Sequence, residues 1–225
     1  MIAFGQICLL GALVTAGYAT FACLAGTYGG RREIGRSGDR AALLCVVLLT
    51  AVTAVLGSAL VAKNFGFAYV AQYSSRDLPW HYSLSALWVG QAGSLLCWAW
   101  MLGVLSLLYR FWPRRTATRP SSYAFGVLMA YLCFLTATMV FGADPMRPSL
   151  DAPQNGLGLS PLLQHPVMLI HPPIVLLGYA AWAVPFARAI AGLIEMQTGG
   201  HAHAGVGGAV GKKKTPIPLV MVETR

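Results

Sequence analysis

Five apolar runs, each close to the ~20 residues a helix needs to cross a bilayer, leave this 225-residue chain few alternatives. They fall at about residues 3–26, 40–62, 84–109, 122–142 and 171–194. In hydrocarbon, backbone polar groups must be satisfied within their own segment, so spans of this kind form helices. Hydrophobic residues make up 56% of the chain and charged residues only 10%, where a soluble domain carries about 25% charge. An all-α polytopic membrane protein of about five transmembrane helices follows. Residues 1–195 form its membrane domain and residues 196–225 a flexible tail. The first run lacks a basic head and continues too far before any charge to be a signal peptide, so it reads as a retained helix.

A net charge of +9 would point to nucleic acid in a soluble chain. Here no basic face with interleaved aromatics exists, and nucleic acid is not an expected partner. The basic residues instead cluster between alternate spans. Residues 27–40 hold Arg31, Arg32, Arg36 and Arg40; residues 110–121 hold Arg110, Arg114, Arg115 and Arg119; the tail holds Lys212, Lys213, Lys214 and Arg225. The other two connections carry Lys63 with Arg76, and Arg147. By the positive-inside rule the N-terminus lies outside and the C-terminus in the cytoplasm. His171 then begins the fifth helix on the outer face.

The five cysteines (Cys8, Cys23, Cys45, Cys97 and Cys133) all lie within apolar runs and read as small packing residues. The outer connection at residues 63–83 carries Phe65, Phe67, Tyr69, Tyr73, Trp80 and Tyr82. An interfacial aromatic belt, or a short helix lying on the membrane, is preferred there over an external binding surface. The second outer connection, residues 143–170, has five prolines and Asn155-Gly156, which predict an ordered but irregular lid.

Polar marks within the apolar runs are few. Ala86, Gly90, Gly93, Ser94 and Cys97 recur at helical spacing and form a small-residue stripe, suited first to close helix packing. Gln91 and Trp98 flank it on a common face, and a glutamine two turns into a span needs a partner. Glycines beside tryptophan would also suit a flat aromatic ligand. The His171-Pro172-Pro173 triplet carries more weight. Prolines in a first helical turn cost no hydrogen bond, and they fix the backbone beneath a neutral imidazole, a good ligand for iron. A capping or solvated histidine is the competing reading. His165 and His81 read as ordinary loop residues, and His201 and His203 as part of a glycine-rich tail. No nucleophile elbow, phosphate loop, paired intramembrane carboxylates or HExxH motif is present, so catalytic residues are not identified.

FAYVAQYSSRDLPWHYSLSALWVGQAGSLLCW (67–98) and SPLLQHPVMLIHPPIVLLGYAAWAVPFARAIAGLI (160–194) together resemble the N-terminal part of CcmF-type cytochrome c haem lyases. These belong to the cytochrome c assembly superfamily with NrfE, CcmC and CcsA. The resemblance extends to about residue 195. It implies a bacterial inner-membrane protein that presents haem on its periplasmic face for covalent attachment to the CxxCH thiols of apocytochrome c. It implies haem of b type as the group carried, His171 as an axial ligand to its iron, and Trp88, Gly90, Gln91, Gly93, Ser94 and Trp98 near the haem or apocytochrome surface. Implied partners are apocytochrome c, a haem-delivery chaperone and other maturation subunits.

The block departs from the family's usual pattern at Trp88-Val89-Gly90-Gln91-Ala92, where WGG and two polar residues are common. The external tryptophan-rich WWD segment and a second outer histidine belong to a part of the family absent from this chain. The expectation is therefore a haem lyase component that needs a partner chain carrying that segment. A non-catalytic haem-docking subunit is the alternative, with an unrelated small transporter behind it.

Overall fold

The computed structural model describes residues 1–111, 121–151 and 153–206. Its helices are α1 (Ile2–Tyr28), α2 (Arg32–Val61), α3 (Ala68–Tyr73), α4 (Trp80–Ser85), α5 (Gln91–Phe111), α6 (Ser122–Gly142) and α7 (Val167–Val206). Short 3-10 turns stand at Ala86–Trp88 and Pro161–Leu163. Five helices (α1, α2, α5, α6 and α7) are long and apolar enough to cross a membrane, so the protein is an all-α multi-pass membrane protein. Two compact units are distinguished, Met1–Ala191 and Gly192–Arg225. The first contains the bundle and its connections.

Small side chains set the packing of the first helical pair. On α1, Cys8, Ala12, Ala16, Ala19, Cys23 and Gly26 are buried at spacings of three and four, which makes one flat stripe. Such a stripe lets backbones approach closely where lipid supplies no hydrophobic drive for helices to associate. At Gly26 the approach is backbone to backbone: a Cβ there would stand 2.7 Å from the amide nitrogen of Gly35. The turn between α1 and α2 uses Gly30 at φ +62, a conformation that costs glycine little. Against the same helix α6 sets large side chains, with Phe125, Leu128, Met129, Leu132, Leu135 and Met139 all buried. Hydroxyls within the spans are satisfied locally. Thr15, Thr20, Thr50, Thr53, Ser106 and Thr136 each donate to the carbonyl four residues earlier, at 2.7–2.9 Å.

The connection read as running through residues 27–40 is shorter, because α2 begins at Arg32 and takes Arg36 and Arg40 onto its first turns. At that end of the bundle the Arg110 guanidinium meets Asp39 in a two-pronged ion pair, Nε to Oδ1 at 2.9 Å and Nη2 to Oδ2 at 3.1 Å. It also lies over the Phe125 ring, 5.4 Å from the centroid. Arg114, Arg115, Arg119, Lys212, Lys213, Lys214 and Arg225 lie outside the described residues, and of His201 and His203 only the backbone is described.

At the opposite end the two longer connections are sewn together. Ser149 N–H donates to Gly66 O at 2.7 Å, Ala68 N–H to Arg147 O at 2.9 Å, and Leu157 N–H to Ala71 O at 2.8 Å. Asn155 Oδ1 accepts from Arg76 N–H at 2.8 Å. Residues 147–149 and 155–158 are thus irregular and pinned to the first connection. The aromatic belt is not what forms. Phe65, Phe67 and Tyr69 are buried within these connections, and Trp80 alone of the six is largely exposed. They form the core of an ordered cap, because two loops bonded to one another give aromatic side chains an interior to fill.

Candidate functional site

The segment from Ala86 to Ser94 is built around a single hydroxyl. In an uninterrupted helix Gly90 N–H would donate to Ala86 O. Here Tyr69 Oη stands between them, accepting from Gly90 N–H at 3.0 Å and donating to Ala86 O at 2.7 Å. A side chain inserted into the ladder in this way interrupts a helix. The span read as residues 84–109 is accordingly broken, and its transmembrane part, α5, starts at Gln91. Gly90 and Gly93 make the insertion possible. A Cβ at either would run into Tyr69, with Tyr73 as a second obstacle at Gly90 and the Leu87 carbonyl at Gly93. Burial pushes the Tyr69 phenol above its ordinary value, and the protonated hydroxyl donates and accepts at once.

Gln91 therefore does not lie two turns inside a span. It is the exposed first residue of α5, and it lines an open cleft of about 770 Å³ with Gln72, Asp144, Arg147 and Asn155. Ser94 Oγ donates back to Gln91 O at 3.0 Å. Trp98 sits two turns deeper on α5, with ring centroids 5.8 Å from both Tyr131 of α6 and Tyr179 of α7. Its buried indole nitrogen has no hydrogen-bond partner among the described residues.

The last helix starts a turn earlier than the sequence reading placed it. His165 Nδ1 accepts from Val167 N–H at 3.2 Å, so the His165-Pro166 pair caps and starts α7 at Val167. Pro172 and Pro173 then fall inside the helix, in its second turn, where a missing N–H does cost a ladder bond. Pro172 leaves the Met168 carbonyl without its usual donor. Trp88 supplies one: its Nε1–H donates to Met168 O at 2.9 Å. The two sequence blocks thus meet at this hydrogen bond, although 80 positions separate its residues. His171 follows Met168 by three residues and is exposed on α7.

The histidines at this end of the bundle differ in how they are engaged. His165 spends a ring nitrogen on the helix start, and His81 packs against Trp80 and Tyr82 at centroid distances of 5.8 and 4.4 Å. The His171 ring makes no hydrogen bond to any described residue. An exposed imidazole with unengaged nitrogens, on a backbone set by two prolines, fits an axial ligand to iron. Among the described residues no group of three His, Cys, Asp or Glu side chains is placed to hold a bare metal ion.

Sequence reasoning missed Tyr69 and the role of the Met168 carbonyl. The second was legible: a proline at 172 inside a helix obliges residue 168 to find another donor. The first was not, because nothing near Ala86 or Gly90 in the sequence announces a tyrosine arriving from α3.

The family described as cytochrome c assembly protein matches residues 88–217, so the likeness runs past residue 195 into the tail. The cytochrome c-type biogenesis protein CcmF of Pseudomonas aeruginosa is 33% identical over 195 residues, covering 84% of this chain and 29% of that protein. The probable cytochrome c-type biogenesis protein NrfE of Escherichia coli is 35% identical over 149 residues, 66% of this chain and 27% of that one. A solved structure described as cytochrome c heme lyase CcmF shares the fold, with a TM-score of 0.69 over 88% of this chain and 30% of that one, at 24% identity. The chain spans less than a third of the length of these curated relatives. The matched block and the five apolar helices agree: this chain belongs to the cytochrome c assembly protein family.

Proposed function

We propose that the chain binds haem through His171 and presents it for covalent attachment to apocytochrome c, on the outer face of a bacterial inner membrane. The observation that carries this is the His171 imidazole: exposed, unengaged and mounted on a proline-set turn, where His165 and His81 are both occupied. Haem is the substrate here. Each attachment adds a cysteine S–H across a haem vinyl group, forming a C–S bond at one vinyl carbon and a C–H bond at the other, with no net change in oxidation state. The part of this chain is positional: it holds the iron by one imidazole and keeps the porphyrin edge turned outward.

The second axial ligand and the thiol-delivering surface, which the resemblance assigns to the WWD segment, lie outside the five described spans. Helix α7 supports this reading. Only 11% of its apolar window is buried, against 39–50% for the other four spans, and Ile170, Ile174, Trp182 and Phe186 are exposed along it. A haem chaperone and other maturation subunits would meet the outer surface. The docking-subunit alternative shares every step but the last, and covalent haem on co-expressed apocytochrome separates the two.

The test is haem retention by the detergent-solubilised protein. Haem should co-purify with the native chain and with His165→Ala, and be lost from His171→Ala. Equal retention by both variants would remove His171 from the site.

A further inference from the structure

We propose that Trp88 is a positioning residue for the His171 imidazole, acting through the backbone carbonyl that Pro172 sets free. This rests on the haem-ligand reading of His171 and names the device that fixes that ligand. A helix interior normally holds each carbonyl by an N–H four residues on. Pro172 and Pro173 have none, so the turn that carries His171 lacks two ladder bonds, and the one lost at Met168 O is that of Pro172. The indole N–H of Trp88 replaces it from outside the helix, at 2.9 Å. The missing internal bond has become an external tie, joining the turn that bears the imidazole to a different segment of the chain.

The tie is itself braced. Trp88 closes the 3-10 turn Ala86–Trp88, within the interruption that the Tyr69 hydroxyl maintains between Ala86 and Gly90. Were that helix continuous, Trp88 would follow α-helical rather than 3-10 geometry, and its indole would leave its present direction. Tyr69 thus fixes Trp88, Trp88 holds Met168 O, and Met168 is one turn from His171. Pro172 has its part by removing the internal donor.

The experiment is a double-mutant cycle on the full-length chain in detergent. Ferric haem b is the probe, and absorbance titration with low-temperature electron paramagnetic resonance gives the readout. Trp88→Phe keeps the ring and removes the donor, and Pro172→Ala restores the internal donor to Met168. With Pro172 in place, Trp88→Phe should weaken haem binding by about 5- to 10-fold, the scale of one hydrogen bond, and broaden the ferric g-values as the imidazole orientation disperses. In the Pro172→Ala background, the same Trp88→Phe change should alter affinity by less than about 2-fold, since the carbonyl no longer depends on the indole. An equal effect in both backgrounds, or none in either, overturns the inference. If Trp88→Phe does not assemble, Trp88→Gln, which keeps an N–H donor, takes its place and should bind more tightly than Trp88→Leu; equal affinity of that pair overturns it too. His171→Ala, titrated alongside, keeps the two readings separate. Unchanged haem binding in that variant sinks the ligand assignment, whereas loss there with an inert Trp88→Phe sinks the positioning role alone.

Discussion

A tyrosine hydroxyl between Ala86 O and Gly90 N–H stands in for a backbone hydrogen bond, and its surroundings make the substitution costly to reverse. Tyr69→Phe leaves the buried Gly90 N–H without its acceptor, while Ala86 O keeps Val89 N–H, a loss of about 1–3 kcal/mol, measurable by denaturant unfolding in micelles. Gly93→Ala should cost a similar amount, because its Cβ would meet the Leu87 carbonyl as well as Tyr69, and backbone cannot swing aside as a side chain can. Gly178 on α7 is the contrasting case. A Cβ there meets nothing within 4 Å, so Gly178→Ala should be neutral or stabilise by up to about 1 kcal/mol through helix propensity. A variant ranking with Gly178→Ala less stable than Gly93→Ala would contradict this packing. Tyr69 also sets a pH dependence. Its folded-state pKa is raised by burial, so the folded state holds this proton more tightly than the unfolded chain. Its contribution is therefore complete below the ordinary phenol value of about 10 and declines above it. Tyr69→Phe should flatten that alkaline fall.

Between the elements, the parts legible in the sequence are those governed by composition, and the illegible ones are set by long-range contacts. Five spans were readable from hydropathy because each is apolar over its whole length. Their ends were readable only where a local signal marks them, as Ser121 does for α6 by accepting from Ala124 N–H at 3.4 Å. The start of α5 moved from residue 84 to Gln91 because Tyr69 enters from another helix. The start of α7 moved from 171 to Val167 because His165, expected to be idle, caps it. Of the candidate residues, His171 and Trp88 could be singled out by type, whereas Gly90 and Gly93 carry a meaning that only the Tyr69 ring supplies. The Asp39–Arg110 pair joins α2 to α5 in the same unannounced way. With both side chains about one-fifth exposed and two-pronged geometry, it exceeds an ordinary surface pair. Asp39→Asn should cost about 1 kcal/mol in micelles and lose part of that difference at high salt. A salt-independent difference would mean that shape rather than charge joins the helices.

Across the whole molecule, the two ends of the bundle differ in kind, and that difference orients it. One end gathers Arg31, Arg32, Arg36, Arg40 and Arg110. The other carries the cap, the cleft and His171, with few cations. One of those few is already committed: Lys63 Nζ donates to the carbonyls of Arg76 and Leu78, folding its charge into the cap. Lys and Arg near span ends are retained on the cytoplasmic side, so the Arg-rich end should face the cytoplasm and the cap the outside. Fusion of a reporter active only outside the cytoplasm tests this directly. It should be active at Asn155, in the pinned connection, and inactive at Arg115, between α5 and α6. The consequence reaches the proposed chemistry, since thioether formation on apocytochrome c is assigned to the outer face. With the reverse pattern, His171 would stand in the cytoplasm, and presentation of haem to an outer substrate would be impossible from this site. The normal pattern with haem lost in His171→Ala would instead put the imidazole, its Trp88 tie and the polar cleft on a single outer surface, open to whatever supplies the second ligand.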